Sequence, residues 1–336
     1  MEQKLWNEKP YVSLDYYLKK NFGEKVYKVS LNAGMTCPNR DGTLDTRGCI
    51  FCSSGGSGDF AAPPCHSVTE QIEIAIMGIK TAKANRGKKP GAKGKTANCN
   101  KFIAYFQAYT NTYAPIEKLR TIFTEALSHP SIVGLSIATR PDCLGIQVLD
   151  LLEELNILQW NISEGMAHKP VWVELGLQTC HESTAAFIRR GYPLSVFDEA
   201  VKNLHNRNLD IIVHLIIGLP YETKEDLLTT IDYVAKLPIQ GIKLQLLHIL
   251  KGTDLANYLG TFKILTLEEY VDLVIVCLEH LPETMVIHRI TGDGPKALLL
   301  EPQWSVQKKV VMNTIHKTLK ERGTWQGRLC TENSKS

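Results

Sequence analysis

The stretch IIVHLIIGL, residues 211–219, decides the fold. Only His214 and Gly218 interrupt its run of β-branched and other apolar residues. A strand with one wet face alternates apolar and polar residues, whereas this run predicts a strand buried on both faces. Such strands belong to parallel sheets covered by helices. Outward from it, helical patterns read at 196–206 and 224–235, and strands at 171–178 and 241–248. Toward the N-terminus come a helix at 11–22 with Gly23 as its stop, a strand at 25–31, a helix at 67–83, a strand at 102–107, a helix at 114–128, a strand at 132–139 and a helix at 145–155. Ser67 and Glu70 form the signature of a capping box. The remaining elements are helices at 182–189 and 267–280, a strand at 285–290 and a last helix at 303–320. About seven strand–helix units predict an α/β fold, a full or partial (β/α) barrel of parallel strands. The expected organisation is one domain over 1–322 with a flexible polar tail at 323–336. In such barrels the chemistry collects where strands end and loops begin.

Composition sets the class. The chain has 336 residues, 44% apolar and 22% charged, ordinary for a globular enzyme. No apolar run reaches the roughly 20 residues that span a bilayer. The charged, amphipathic start MEQKLWNEKPYVSLDYYLKKNFG lacks the features of a secretory signal, so a cytoplasmic protein with no membrane partner is expected. Thiols stay reduced there, and nine cysteines then argue for metal binding or catalysis rather than disulfides. Residues 80–101 carry eight basic side chains and no acid; subtracting eight from the net +3 leaves the rest of the chain at −5. This segment reads as a solvated loop, an electrostatic arm for a polyanion such as RNA, or both.

The loop after the first strand is CPNRDGTLDTRGCIFC, residues 37–52. Its spacing is C-x11-C-x2-C. One reading is a structural zinc site, which needs a fourth ligand, and Cys65 or His66 could supply it. The other is a [4Fe–4S] cluster with three protein thiolates and one iron left open. Spacing alone leaves both readings standing. The remaining cysteines are scattered singly and form no second cluster motif.

Six ordered motifs bear on the choice: AGMTCPNRDGTLDTRGCIFC, FIAYFQAYTNTYAP, ATRPDCL, VELGLQT, HLIIGLPYET and HRITGDGPK. Together they resemble the radical S-adenosylmethionine superfamily. Within it they are similar to the YhcC/YtqA-like group, related to the Elongator catalytic subunit and the coproporphyrinogen oxidase HemN. The resemblance runs from about Tyr11 to Arg322, and the basic stretch at about 80–100 looks like an insertion. The long first gap departs from the commoner C-x3-C-x2-C and matches a subset of the superfamily.

The resemblance implies that Cys37, Cys49 and Cys52 ligate a [4Fe–4S] cluster. Its open iron would chelate the amino and carboxylate groups of S-adenosylmethionine, whose one-electron cleavage yields a 5′-deoxyadenosyl radical. Gln107 and the segment carrying Asn111, Thr112 and Tyr113 would hold the methionine amino group. Glu174 and Gln178 lie four apart on one strand and so share a face. A carboxylate inside VWVELGLQ needs a partner, and the resemblance offers the ribose diol; a structural salt bridge is the alternative. Arg140 and Arg189 or Arg190, with Arg190 preferred, are candidates for the methionine carboxylate. Gly218 would let the backbone approach the adenine. His214 reads as a satisfied core histidine. His248 lies near a strand end, and His288, Arg289 and Asp293 are candidates for substrate contact or catalysis.

For substrate, the resemblance and the basic segment imply tRNA, as do basic residues of the last helix (Lys309, His316, Lys320). Members of the group in Gram-positive-type bacteria are linked to the wobble uridine, at the conversion of a 5-carboxymethylaminomethyl group to 5-aminomethyl. A reductase, flavodoxin or ferredoxin would supply the electron, and a separate methyltransferase would act afterwards. The alternatives are a radical enzyme for a small metabolite or porphyrin-like molecule and a non-enzymatic zinc-binding RNA adaptor.

Overall fold

The computed structural model describes residues 3–56, 67–87, 100–162, 165–292 and 294–330. In chain order the elements are α1 (Leu14–Phe22), β1 (Tyr27–Leu31), α2 (Val68–Gly87), β2 (Phe102–Phe106), α3 (Ile116–Ser128), β3 (Ile132–Thr139), α4 (Ile146–Ile157), β4 (Gln159–Ile162), β5 (Gly165–His168), β6 (Val171–Gln178), α5 (Glu182–Phe187), α6 (Leu194–His205), β7 (Asp210–Ile217), α7 (Lys224–Val234), β8 (Gly241–Leu246), β9 (Ile249–Leu250), α8 (Leu267–His280), β10 (Val286–Arg289), β11 (Leu299–Glu301) and α9 (Lys308–Glu321). Seven strands form one sheet in the order β1-β2-β3-β6-β7-β8-β10, and every neighbouring pair is parallel. Among the described residues the edge strands β1 and β10 do not pair with each other, so the barrel is partial. The segment before α1 covers the outer edge of β10, where Ile287 N donates to Val12 O at 2.8 Å.

The apolar runs explain the sheet. Every residue of β2 and β3 is buried, and β7 buries Ile211–Val213 and Leu215–Ile217. Outward-facing residues meet α3, α6 and α8 in one large apolar cluster that includes Phe106, Phe123, Phe197 and Tyr270. The barrel interior is polar by contrast and buries Ser136, Glu174 and Lys243. Helix ends follow their caps. Glu70 N donates to Ser67 Oγ at 3.1 Å while Ser67 N donates to Glu70 Oε2 at 2.9 Å. Gly23, at φ 73°, ends α1 in the left-handed conformation and returns its N–H to Lys19 O.

Four features differ from the sequence reading. The last helix is split into a 3-10 turn at Gln303–Val306 and α9. The hairpin β4–β5 and the ribbon β9–β11 are antiparallel additions, and strands this short carry no readable period. The helix expected at 67–83 runs on to Gly87, one turn further into the basic segment; Lys83 Nζ stands 4.3 Å from the Tyr27 ring centroid, and residues 88–99 lie outside the described residues. The expected frayed tail holds no part of 323–330. Thr324 and Gln326 are fully buried. Gln326 Nε2 donates to Pro282 O at 2.7 Å and Met285 O at 2.8 Å, and its Oε1 accepts from Val12 N at 2.9 Å. The polar composition that read as solvation serves buried backbone groups instead.

Gln326→Leu strands those three backbone groups, so it should cost roughly 2–4 kcal/mol. Urea denaturation would show a lowered midpoint; an unchanged midpoint would exclude 323–330 from the cooperative unit.

Candidate active site

The cysteine loop leaves β1 and is stitched to itself. Arg40 N and Asp41 N donate to Cys37 O at 2.7 and 3.1 Å, and Cys52 N donates to Cys49 O at 3.0 Å. Arg40 crosses the loop and donates from Nη2 to Cys52 O at 2.9 Å and Ser53 O at 2.6 Å. It passes over Gly48, which sits at φ +77° and whose Cβ, if present, would lie 2.8 Å from Arg40 Nε. Only glycine suits both conditions. Asn39 Nδ2 donates to Arg189 O at 2.9 Å and lies 3.5 Å from Cys49 Sγ. Ile50 and Phe51 anchor the loop in an apolar cluster with Ile188, Ile216 and Leu247. Cys37, Cys49 and Cys52 thereby line one cavity.

Burial pushes the Cys49 thiol up and the Cys52 thiol up to about 12, against the pull of Arg140 on the first and Arg40 on the second. Thiols so placed keep their protons until a metal replaces them. Among the described residues no three His, Cys, Asp or Glu side chains converge as one ion requires; Cys65 and His66 lie outside the described residues. Three thiols spread around a wall, flanked by two guanidinium groups, fit an iron–sulfur cluster, which distributes its ligands over several irons.

Beneath the thiols the same cavity reaches Glu174. Its carboxylate is wholly buried. Lys28 Nζ donates to Oε1 at 2.7 Å, Ser136 Oγ to Oε1 at 2.6 Å and His214 Nε2 to Oε2 at 2.7 Å. Lys243 Nζ also donates to Oε2, and to Tyr105 OH at 3.0 Å. Burial would raise the carboxyl pKa, but Lys243 and Lys28 hold it well below the usual range. Burial pulls Lys243 down to about 7 and His214 down to about 4. Glu174 is therefore the salt-bridged alternative of the sequence reading, with its lone pairs occupied.

Gln178 differs from Glu174. The register slips between Gly176 and Gln178, and Gln178 has φ 70°. This bulge turns the amide toward the cavity, where Oε1 is buried with no partner. An acceptor left open in a cavity fits a ligand hydroxyl. Gln107 lines the same wall and accepts from Ser30 Oγ at 3.1 Å. Arg140 and Arg190 line it too, but their donors are spoken for. Arg140 binds both carboxylate oxygens of Asp142 and the Arg190 carbonyl. Arg190 donates to the carbonyls of Tyr192, Leu177 and Thr179 and to Glu182. Arg189 pairs with Asp254 at 2.6 Å.

Several candidates lie elsewhere. Asn111 Nδ2 donates to Phe106 O and Ala138 O, and Thr112 Oγ1 to Cys143 O, so these polar side chains tie down the loop. Tyr113 joins Thr112 along a separate shallow pocket, while Tyr109 and Thr110 of the same loop face the thiols. Gly218, at φ +87°, lets Leu265 approach, its would-be Cβ lying 2.9 Å from Leu265 Cδ1, and it lines neither cavity near the thiols. His288 lies over the N-terminal ends of β6 and β8, edge-on to Trp172 at 5.6 Å and against Gly241. It faces the floor of the barrel and not its mouth. Asp293 lies outside the described residues. His316 of α9 is half-buried against Tyr11 OH at 3.0 Å rather than part of an open basic face.

A second cavity of about 520 Å³ adjoins the first and shares Phe51, Cys52, Gln107, Gln178, His214 and Arg289 among its walls. It extends to His248 and Lys296. Sequence reasoning missed Lys28, Arg40, Tyr105, Lys243, Gln245 and Lys296. Lys243 carried the same signal as Glu174, a charge inside an apolar strand.

The model of the "Radical SAM superfamily" matches residues 91–234 and that of the "Radical_SAM C-terminal domain" residues 239–321. The chain is 44% identical over 323 residues to the uncharacterized protein YtqA of Bacillus subtilis, covering 96% of this chain and 93% of that one. It is 22% identical over 196 residues to the tRNA uridine(34) acetyltransferase of Methanocaldococcus jannaschii, 57% of this chain and 33% of that protein. Among solved structures, the archaeal Methanocaldococcus infernus Elp3 with an N-terminal deletion shares the fold, with a TM-score of 0.63 and 16% identity over 90% of this chain. This chain spans 64% of that one.

Glu174→Gln leaves two lysines and a histidine crowded without their anion, which should cost roughly 3–5 kcal/mol. The folded Glu174 carboxyl titrates below its unfolded value of 4.5. Its contribution is complete above that pH and is lost as pH falls through the lower folded value. Stability profiles should therefore show a shallower acid limb for the variant; parallel limbs would mean that the carboxylate contributes nothing to acid sensitivity.

Proposed function

This chain belongs to the Radical SAM superfamily, and we propose that it applies that chemistry to the 5-substituent of a tRNA wobble uridine. Its cofactors are a [4Fe–4S] cluster and S-adenosylmethionine. The observation that carries the reading is the set of three loop thiols on a cavity wall continuous with a second, larger space. When bound and reduced by one electron, the cofactors supply a 5′-deoxyadenosyl radical.

The chain's own residues supply position and shelter. Cys37, Cys49 and Cys52 hold the cluster, with Arg40 and Arg140 offsetting its negative charge. Gln178 offers its open acceptor to a ribose hydroxyl, and Gln107 and Thr110 face the amino acid end of the cofactor. Phe51, Tyr109 and Tyr192 keep water from the reacting atoms. The Arg140–Arg190 clamp ties the turn after α5 to the loops after β3 and β6, and Asn39 of the cysteine loop is bonded to the same turn. A flavodoxin, ferredoxin or reductase delivers the electron.

Two features favour tRNA. A relative carries uridine(34) of tRNA in its name, and the segment 80–101 concentrates eight basic residues. The proposed step removes hydrogen from the carbon between the amine and the carboxylate of a 5-carboxymethylaminomethyl group. A one-electron acceptor of the iron–sulfur or flavin class takes the second electron and the nitrogen loses its proton, giving an imine. Addition of water cleaves it to 5-aminomethyl uridine, ready for a separate methyltransferase, and a two-carbon oxo-acid. The base must turn outward to reach the barrel mouth.

Anaerobic reconstitution should give about four irons per chain, and Cys37→Ala, Cys49→Ala or Cys52→Ala should each abolish the brown cluster and adenosyl product. A colourless wild-type protein binding one zinc would sink the radical reading. Nucleoside analysis of tRNA from cells lacking the gene should show the carboxymethylaminomethyl form accumulating. Unchanged wobble uridines would refute the tRNA reading and point to a small-molecule substrate.

A further inference from the structure

Backbone strain gathers at the mouth of the barrel. The left-handed region is disfavoured for any residue with a Cβ, and asparagine tolerates it best. Four residues that are neither glycine nor asparagine adopt it around the mouth: Tyr109 after β2, Gln178 at the end of β6, Arg189 after α5 and Tyr221 after β7. Two of them hold the cysteine loop. The carbonyl of Arg189 accepts from Asn39 Nδ2, beside Cys49. Tyr109 holds the other end of the loop, and does so with its side chain.

Tyr109 sits at φ 61°. Its hydroxyl donates to Ser54 O at 2.5 Å, two residues beyond Cys52. Its ring lies over Gly56, where a Cβ would come 2.8 Å from Cδ1 and 3.0 Å from Cε1. The stretch it grips is closed on itself, with Ser53 Oγ donating to Gly56 O and Gly56 N to Ser53 O, both at 3.0 Å. Arg40 holds the same stretch through Cys52 O and Ser53 O, and its guanidinium carbon stands 6.0 Å from the Tyr109 ring centroid. Tyr109, Gly56 and the three thiols line one cavity. Glycine or asparagine would satisfy this backbone more easily. Strain of this kind persists only where the surroundings enforce it, and the contacts that enforce it here all belong to the Cys52 end of the loop.

We propose that Tyr109 is a strained latch that fixes the Cys52 end of the cysteine loop on the cavity wall and so shields the cluster held there from oxidants. The proposal rests on the reading that the three thiols hold an iron–sulfur cluster, and it requires no particular substrate. Tyr109 acts through Ser54 and Gly56 and is therefore a positioning residue. With the latch shut, the chain beyond Cys52 follows one path and the thiolate keeps its place. With the latch open, that stretch fluctuates and small oxidants reach the cluster more often. The opening is local and leaves the parallel sheet intact.

The test uses the anaerobically reconstituted holoprotein, transferred to air-saturated buffer, with the fading of the cluster's visible absorption as the readout. Tyr109→Phe keeps the ring over Gly56 and loses the bond to Ser54 O. Tyr109→Asn suits the left-handed backbone and loses both contacts. The cluster should fade about threefold or more faster in Tyr109→Phe, the factor that one lost hydrogen bond allows, and faster again in Tyr109→Asn. Urea midpoints of the same holoproteins should stay near the wild-type value, because relieved strain offsets lost contacts and the opening is local. Equal fading in all three proteins, or fading that rises only in step with a falling midpoint, overturns the latch and leaves the iron–sulfur reading standing. A wild type that takes up no cluster overturns both.

Discussion

One buried carboxylate organises the interior of this barrel. Glu174 sits on β6, and the groups that neutralise it come from β1, β3, β7 and β8. Five of the seven sheet strands thus meet at one point. Apolar side chains could fill the same space, and such replacements are often neutral or stabilising. A knot of charge is therefore an expensive way to hold strands together. What it provides is a polar, positively biased floor under a cavity, made from strands rigid enough to hold its geometry.

The same logic runs through the cysteine loop. Its sequence is rich in residues that favour turns, yet little of it is left loose. Arg40 bridges the two ends of the loop, Gly48 makes room for that bridge, and Ile50 and Phe51 sink into an apolar cluster below. The thiols are therefore placed before any metal arrives, while their buried environment keeps Cys49 and Cys52 protonated. Metal binding must displace those protons, which couples loading of the site to pH. Positive charge nearby eases the exchange.

Much of the fold was legible, because long runs with a clear period leave few choices. The strands at 132–139 and 171–178 and the helix at 267–280 have the bounds that the sequence predicts. The two-residue β9 and three-residue β11 have no period to read, yet they help to place Lys296. At the site, Glu174 was visible as a charge in an apolar run. Its partner Lys28 was not, because alternation in KVYKVSL gives two faces without saying which one turns inward. Asn111 and Thr112 misled for the opposite reason. They are polar residues at a strand end, and their donors go to carbonyls of β2, β3 and the turn after β3, tying the loop to the sheet. His288 looked like a mouth residue because its strand is short; β10 begins only two residues earlier, which leaves the ring at the floor beside Trp172.

Net charge hides what matters here. The chain carries only +3 overall, but cations flank the cavities on both sides. Arg40 and Arg140 stand by the thiols, and Lys28, Lys243 and Arg289 stand by the floor. The first pair faces the place where an anionic cluster fits, and the lysines of the second group engage Glu174. Like charges held together in a low-dielectric interior cost free energy unless something offsets them. Glu174 is that offset for Lys28 and Lys243. A closed barrel of eight strands leaves an interior that side chains fill, whereas an open seven-stranded sheet leaves room at its mouth for part of a large molecule. A cavity walled by amides and continuous with the thiols therefore leaves space beside the place where the cluster fits.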